Sequence, residues 1–117
     1  MIWRFHPEAA EEFYKACIHY SEISTELARK FHSGIEDAIK KIVAGPKVWP
    51  VIEDDVRRFL VRRFPYGIYY LLVDEENVVY IVAVMHMRRQ SGYWRDRLES
   101  VGGRDPRRAQ TLKGELS

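Results

Sequence analysis

Tyr66-Gly67-Ile68-Tyr69-Tyr70-Leu71-Leu72-Val73 and Val78-Val79-Tyr80-Ile81-Val82-Ala83-Val84-Met85-His86-Met87 are two long β-branched and aromatic runs, separated by the polar Asp74-Glu75-Glu76-Asn77. Residues of this kind fit a pleated, buried surface, and a short polar break between two such runs marks a hairpin. The pair is therefore expected at the centre of a sheet. The near-continuous apolarity of residues 78–84 implies a strand covered on both faces for part of its length. Just upstream, Arg57-Arg58-Phe59-Leu60-Val61-Arg62-Arg63-Phe64 reads as a third strand, ended by Pro65 and Gly67. Neither of its alternate residue sets is cleanly apolar, so a bulge or strong twist is expected there. Residues 47–55 read as a loop containing Pro50, anchored by Trp49 and closed by Glu53-Asp54-Asp55.

Towards the N-terminus, residues 2–5 form a short strand that His6-Pro7 ends, because proline cannot continue a ladder and presets a first helical turn. Ala9, Ala10, Phe13, Ala16, Cys17 and Tyr20 then recur at three- and four-residue steps, with Glu8, Glu11, Glu12 and Lys15 on the other side. After a break at residues 21–24, which supplies a capping hydroxyl, Leu27, Phe31, Ile35, Ala38, Ile39 and Ile42 form a second stripe that stops at Gly45-Pro46. Two amphipathic helices joined by a short turn make an antiparallel hairpin. The order β-α-α-β-β-β gives an α+β domain, with the helical hairpin packed on a largely antiparallel twisted sheet. A loop and a short C-terminal helix follow residue 86. One domain over residues 1–98 is expected, with 99–117, which lack an apolar period, as a mobile tail.

Composition removes several classes of function. The chain has 117 residues, enough for one core, and no apolar run approaches the ~20 residues that span a bilayer. A non-membrane, cytoplasmic setting is expected, since the N-terminus lacks signal-peptide character and the lone Cys17 cannot close an intrachain disulfide. Cys17 falls in an apolar stripe and reads as packing. The four histidines at 6, 19, 32 and 86 lack metal-ligand spacing, so no metal and no cofactor are expected. No nucleophile elbow or phosphate-cradling glycine loop occurs. Net charge is only +2, yet residues 1–55 hold seven Lys/Arg against ten Asp/Glu and residues 56–117 hold twelve against seven. The basic half is where attraction to phosphate or to an acidic protein belongs.

The groups that remain are Arg57, Arg58, Arg62 and Arg63, then His86, Arg88, Arg89, Tyr93, Trp94, Arg95 and Arg97. Guanidinium forks hold phosphates and aromatic rings stack on bases, which describes nucleic-acid contact; the same set equally suits an acidic protein segment. RNA cleavage would need a general base and an acid, for which His86 and Tyr93 are the nearby candidates. The plainer alternative is that His86 caps its strand while Tyr93 and Trp94 pack a C-terminal helix onto the sheet.

Phe5-His6-Pro7-Glu8-Ala9, Val56-Arg57-Arg58-Phe59, Phe64-Pro65-Tyr66-Gly67-Ile68-Tyr69-Tyr70, and Ala83-Val84-Met85-His86-Met87-Arg88-Arg89 with Tyr93, Trp94 and Arg97 together resemble the RelE/ParE toxin superfamily. The resemblance covers residues 2–97. It implies the toxin of a bacterial type II toxin–antitoxin (plasmid stabilisation) pair, with a cognate antitoxin as partner. It also implies one of two targets: ribosome-bound mRNA in the RelE-like endoribonuclease branch, or DNA gyrase in the ParE-like branch. In the ribonuclease branch one active-site arginine would fall on Gly67 and another on Met87, the lysines on the earlier strand are replaced by Arg62 and Arg63, and the tyrosine falls on Tyr93. That matching favours the gyrase branch. The expected functional face is Arg62, Arg63, Arg88, Arg89, Tyr93 and Trp94, with His86 and Tyr93 catalytic only in a ribonuclease.

Overall fold

A computed structural model describes residues 1–89 and 92–100. The chain runs β1 (Ile2–Phe5), α1 (Pro7–Ser21), α2 (Thr25–Ala44), β2 (Val51–Glu53), β3 (Val56–Leu60), β4 (Tyr66–Val73) and β5 (Val78–His86), with 3-10 turns at Asp74–Glu76 and Arg95–Ser100. The five strands form one sheet in the order β1-β5-β4-β3-β2. β1 runs parallel to β5, and every other pairing is antiparallel. This is the expected α+β architecture. No helix among the described residues is long and apolar enough to cross a membrane.

Local chemistry sets the helix ends. His6 is the N-cap of α1 and accepts from Glu8 N–H through Nδ1, with Pro7 in the first turn. Ser24 caps α2 by accepting Leu27 N–H at 2.9 Å. The α2 stripe of Phe31, Ile35, Ala38, Ile39 and Ile42 is buried against Ile68, Tyr70, Val79, Ile81 and Val84 on one sheet face. Cys17 packs against this cluster, and burial raises its thiol pKa. The other sheet face carries a second core of Val56, Tyr69, Leu71, Val82, Ala83 and Met85, closed by Trp94. β5 is thus covered on both faces, as its apolarity implies.

Three details depart from the sequence reading. Residues 51–53, expected as loop, form β2, because Asp54 at φ +52° turns the chain back so that Val51 pairs with Arg57. Asp tolerates that left-handed conformation better than most residues. The arginine-rich strand stops at Leu60, since Arg63 adopts φ +73° and Val61 N–H closes a turn onto Tyr66 O. The bulge expected in that strand lies instead in β4–β5, between Tyr69 and Tyr70, and in β2. The expected short C-terminal helix is present as a 3-10 helix over Arg95–Ser100. Residues 101–117 of the expected tail, with Gln90 and Ser91, lie outside the described residues.

Candidate functional site

β1 ends at Phe5, with His6 N–H donating to Ile81 O, so among the described residues no strand neighbours the outer edge of β5 beyond Ile81. Backbone groups on such an edge need partners or water. Two side chains supply them. Val84 N–H donates to Glu12 Oε1 at 3.0 Å, and Arg97 Nη1 donates to Val82 O at 2.9 Å. Glu12 and Arg97 also pair with each other through two hydrogen bonds of 3.0 and 2.9 Å. Both are largely withdrawn from solvent, at 14% and 7% exposure. A charged pair in such a place is held by complete hydrogen bonding rather than by Coulomb attraction alone.

The same carboxylate gathers the functional candidates after β5. Tyr93 Oη donates to Glu12 at 2.6 Å, and Arg89 Nη1 donates to it at 3.3 Å. The Arg89 guanidinium lies 3.5 Å from the Tyr93 ring centroid, with Arg97 at 4.9 Å. Burial, and then the Glu12 carboxylate, push the Tyr93 phenol pKa well above its ordinary value. Two residues away Arg95 forms a two-pronged ion pair with Glu53 of β2. Arg95 and Arg97 therefore tie the C-terminal arm to opposite margins of the sheet, and Trp94, just before them, packs on Tyr69 with ring centroids 5.6 Å apart. Gly92, at φ +91°, begins the arm; any side chain there would overlap the Arg95 guanidinium.

The expected functional face is only partly assembled. Trp94 belongs to the core: it is fully buried in the cluster on the outer face of the sheet, which neither α1 nor α2 covers. Tyr93 is half-buried and tethered. Arg88 is exposed, and its N–H donates to His86 Nδ1 at 3.0 Å, while the His86 ring stands edge-on to Tyr66. Arg62 and Arg63 reach the same end of the sheet, where Met87 N–H donates to Pro65 O, but they line a groove along α2 rather than joining Arg89 at α1. Arg57 is used internally, donating to Lys47 O and Trp49 O. The arginines thus form a groove group and an arm group, not one cluster. The described residues contain no group of three metal-ligating side chains. Spacing alone puts Glu12 on the solvent side of α1. No local signal could have corrected this, since its partner Arg97 lies 85 positions away.

Sheet order, helical hairpin and C-terminal arm define a small RelE/ParE-type toxin fold, and comparison with known proteins agrees. The crystal structure of the isolated E. coli RelE toxin matches with a TM-score of 0.55 and 16% identity, covering 81% of this chain and 93% of that one. The family model of the ParE toxin of type II toxin–antitoxin systems, parDE, matches residues 3–91, and the chain belongs to that family. No curated protein sequence matches it.

Proposed function

We propose that this toxin is ParE-like and inhibits DNA gyrase by protein contact, without catalysing a reaction of its own. One observation carries the reading. At the open end of the outer sheet face Leu60 pairs with Gly67, and the Met87 thioether lies so close that a Cβ at 67 would stand 3.2 Å from its sulfur. Gly67 and Met87 stand where the resemblance calls for guanidinium groups in the ribonuclease branch, and neither carries one; beside them lie exposed Leu60 and the stem of Arg58, whose Cγ would be 3.5 Å from a Cβ at 67. Cleavage of RNA develops charge that a glycine and a thioether at these two positions do not stabilise. The Tyr93 phenol, the tyrosine that the resemblance would make an acid or base, holds its proton against a carboxylate and is poorly set to exchange it at neutral pH.

Purified protein mixed with gyrase, supercoiled DNA and ATP is expected to accumulate cleavage complexes. Unaltered gyrase activity removes the reading. The rival RelE-like mRNA interferase would reveal itself in ribosome toeprints as codon-positioned cuts lost in Tyr93→Phe and His86→Ala.

The family brings an antitoxin partner, and the groove along α2 is the surface we assign to it. About 760 Å³ in volume, it has Leu27, Phe59 and Phe64 among its lining. Arg29, Lys41, Arg62 and Arg63 also line it, and none of these four has a carboxylate partner among the described residues. An acidic amphipathic segment complements such a groove in both charge and hydrophobicity. Arg63 takes a left-handed conformation where glycine or asparagine would be less strained, which accords with selection for its guanidinium. Arg62→Glu with Arg63→Glu should weaken antitoxin binding by about tenfold or more, measured by calorimetry. Unchanged affinity would send the docking site elsewhere.

A further inference from the structure

Glu12 receives hydrogen bonds from four residues: Val84 on the sheet edge, and Arg89, Tyr93 and Arg97 after the last strand. A carboxylate with two oxygens accepts several such bonds only when donors converge on it from different elements. A cap for the β5 edge would need only the contact to Val84 N–H. The three further donors all belong to the segment that carries the candidate target-contacting groups. Arg89 and Arg97 also approach one aromatic ring, that of Tyr93, so two like charges flank it with Glu12 as the anion between them.

We propose that Glu12 is the positioning residue of the toxin's arm face: it meets no target itself, and it fixes where Tyr93 and Arg89 stand. The proposal rests on the reading above only in taking that face to meet the target, whichever macromolecule the target is. Neutralising Glu12 leaves the nearly buried Arg97 without its principal anion, frees the Tyr93 hydroxyl, and sets Arg89 and Arg97 in repulsion across the ring. Arg89 then swings into solvent, because an exposed guanidinium gains little by staying on the ring alone. The edge itself need not open, since an amide oxygen accepts Val84 N–H as a carboxylate oxygen does.

Glu12→Gln therefore separates positioning from structure. Three measurements on the full chain read it: hydrogen exchange at the Val84 amide, ultraviolet titration of the Tyr93 phenol against a Tyr93→Phe reference, and the inducer level that halves growth without antitoxin. Expected are an amide that stays protected, a phenol that ionises at lower pH, and a potency reduced about tenfold, equivalent to one charge-assisted hydrogen bond. An unmoved phenol titration overturns the clamp. A moved titration with unchanged potency overturns the positioning role and leaves Glu12 an edge cap. Should Glu12→Gln lose its fold, Arg97→Lys, which keeps the charge and gives up the two-pronged geometry, must show an intermediate loss of potency; full potency there is equally fatal. Growth arrest does not depend on which target is struck. A wild-type toxin that halts growth but leaves gyrase untouched thus refutes the gyrase reading while the Glu12 comparison still decides this one.

Discussion

Tyr70 shows how one side chain binds distant parts of the chain. Its ring is fully buried between the helices and β4, and its hydroxyl donates to Pro46 O at 2.6 Å, fastening the sheet to the loop after α2. Burial, partly offset by Arg57, raises its phenol pKa to about 12. An unfolded tyrosine loses its proton near pH ~10, so the folded state binds that proton more tightly. The stability linked to the neutral phenol is complete below pH ~10 and is lost as pH rises towards the folded value, and the raised Tyr93 phenol acts in the same direction. Tyr70→Phe is expected to cost about 1 kcal/mol at neutral pH and to flatten the alkaline decline. Urea unfolding between pH 8 and 11 checks this, and a decline as steep as wild type would exclude Tyr70 as its source.

At the scale of elements, the N-terminus of α1 depends on a titrating cap. His6 Nδ1 accepts Glu8 N–H at 3.1 Å, which an imidazole protonated at that nitrogen cannot do. Burial, and then Arg97, lower the His6 pKa, with Glu8 and Glu12 opposing. A depressed histidine pKa means that the unfolded state binds the proton better. Its contribution is therefore present above pH ~6.5 and is lost as pH falls through the folded value. His6→Asn keeps an acceptor that does not titrate, so its stability should fall less than wild type between pH 7 and 5, while His6→Ala should cost about 1 kcal/mol at pH 7.5. Parallel acid profiles for wild type and His6→Asn would show that the cap does not matter. The helix start was readable because His6-Pro7 is a local signal. β2 was not, since its three residues become a strand only where β3 offers them a partner edge.

Across the whole molecule the two sheet faces are protected by different means, one by the helical hairpin and the other by the arm that Arg95 and Arg97 tie down. Trp94→Ala should cost about 3–5 kcal/mol, a large share of a small domain's stability, and should expose the outer face to hydrophobic dyes. Trp94 Nε1 has no hydrogen-bond partner among the described residues, so Trp94→Phe loses no polar contact and should cost only about 1 kcal/mol. Equal losses for the two variants would mean that ring packing is not what holds the arm.

The sequence by itself determined the helices and the central strands, because apolar periodicity, caps and turn residues act within a few positions of one another. It also carried Gly67 and Met87, on which the proposed gyrase reading rests. Only the tertiary structure decided that Trp94 is core, that Glu12 is inside, and that Arg62 and Arg63 stand apart from Arg89. An edge left open by a four-residue β1 draws partners from any element that folding brings near it, and their separation along the chain leaves no trace in local pattern.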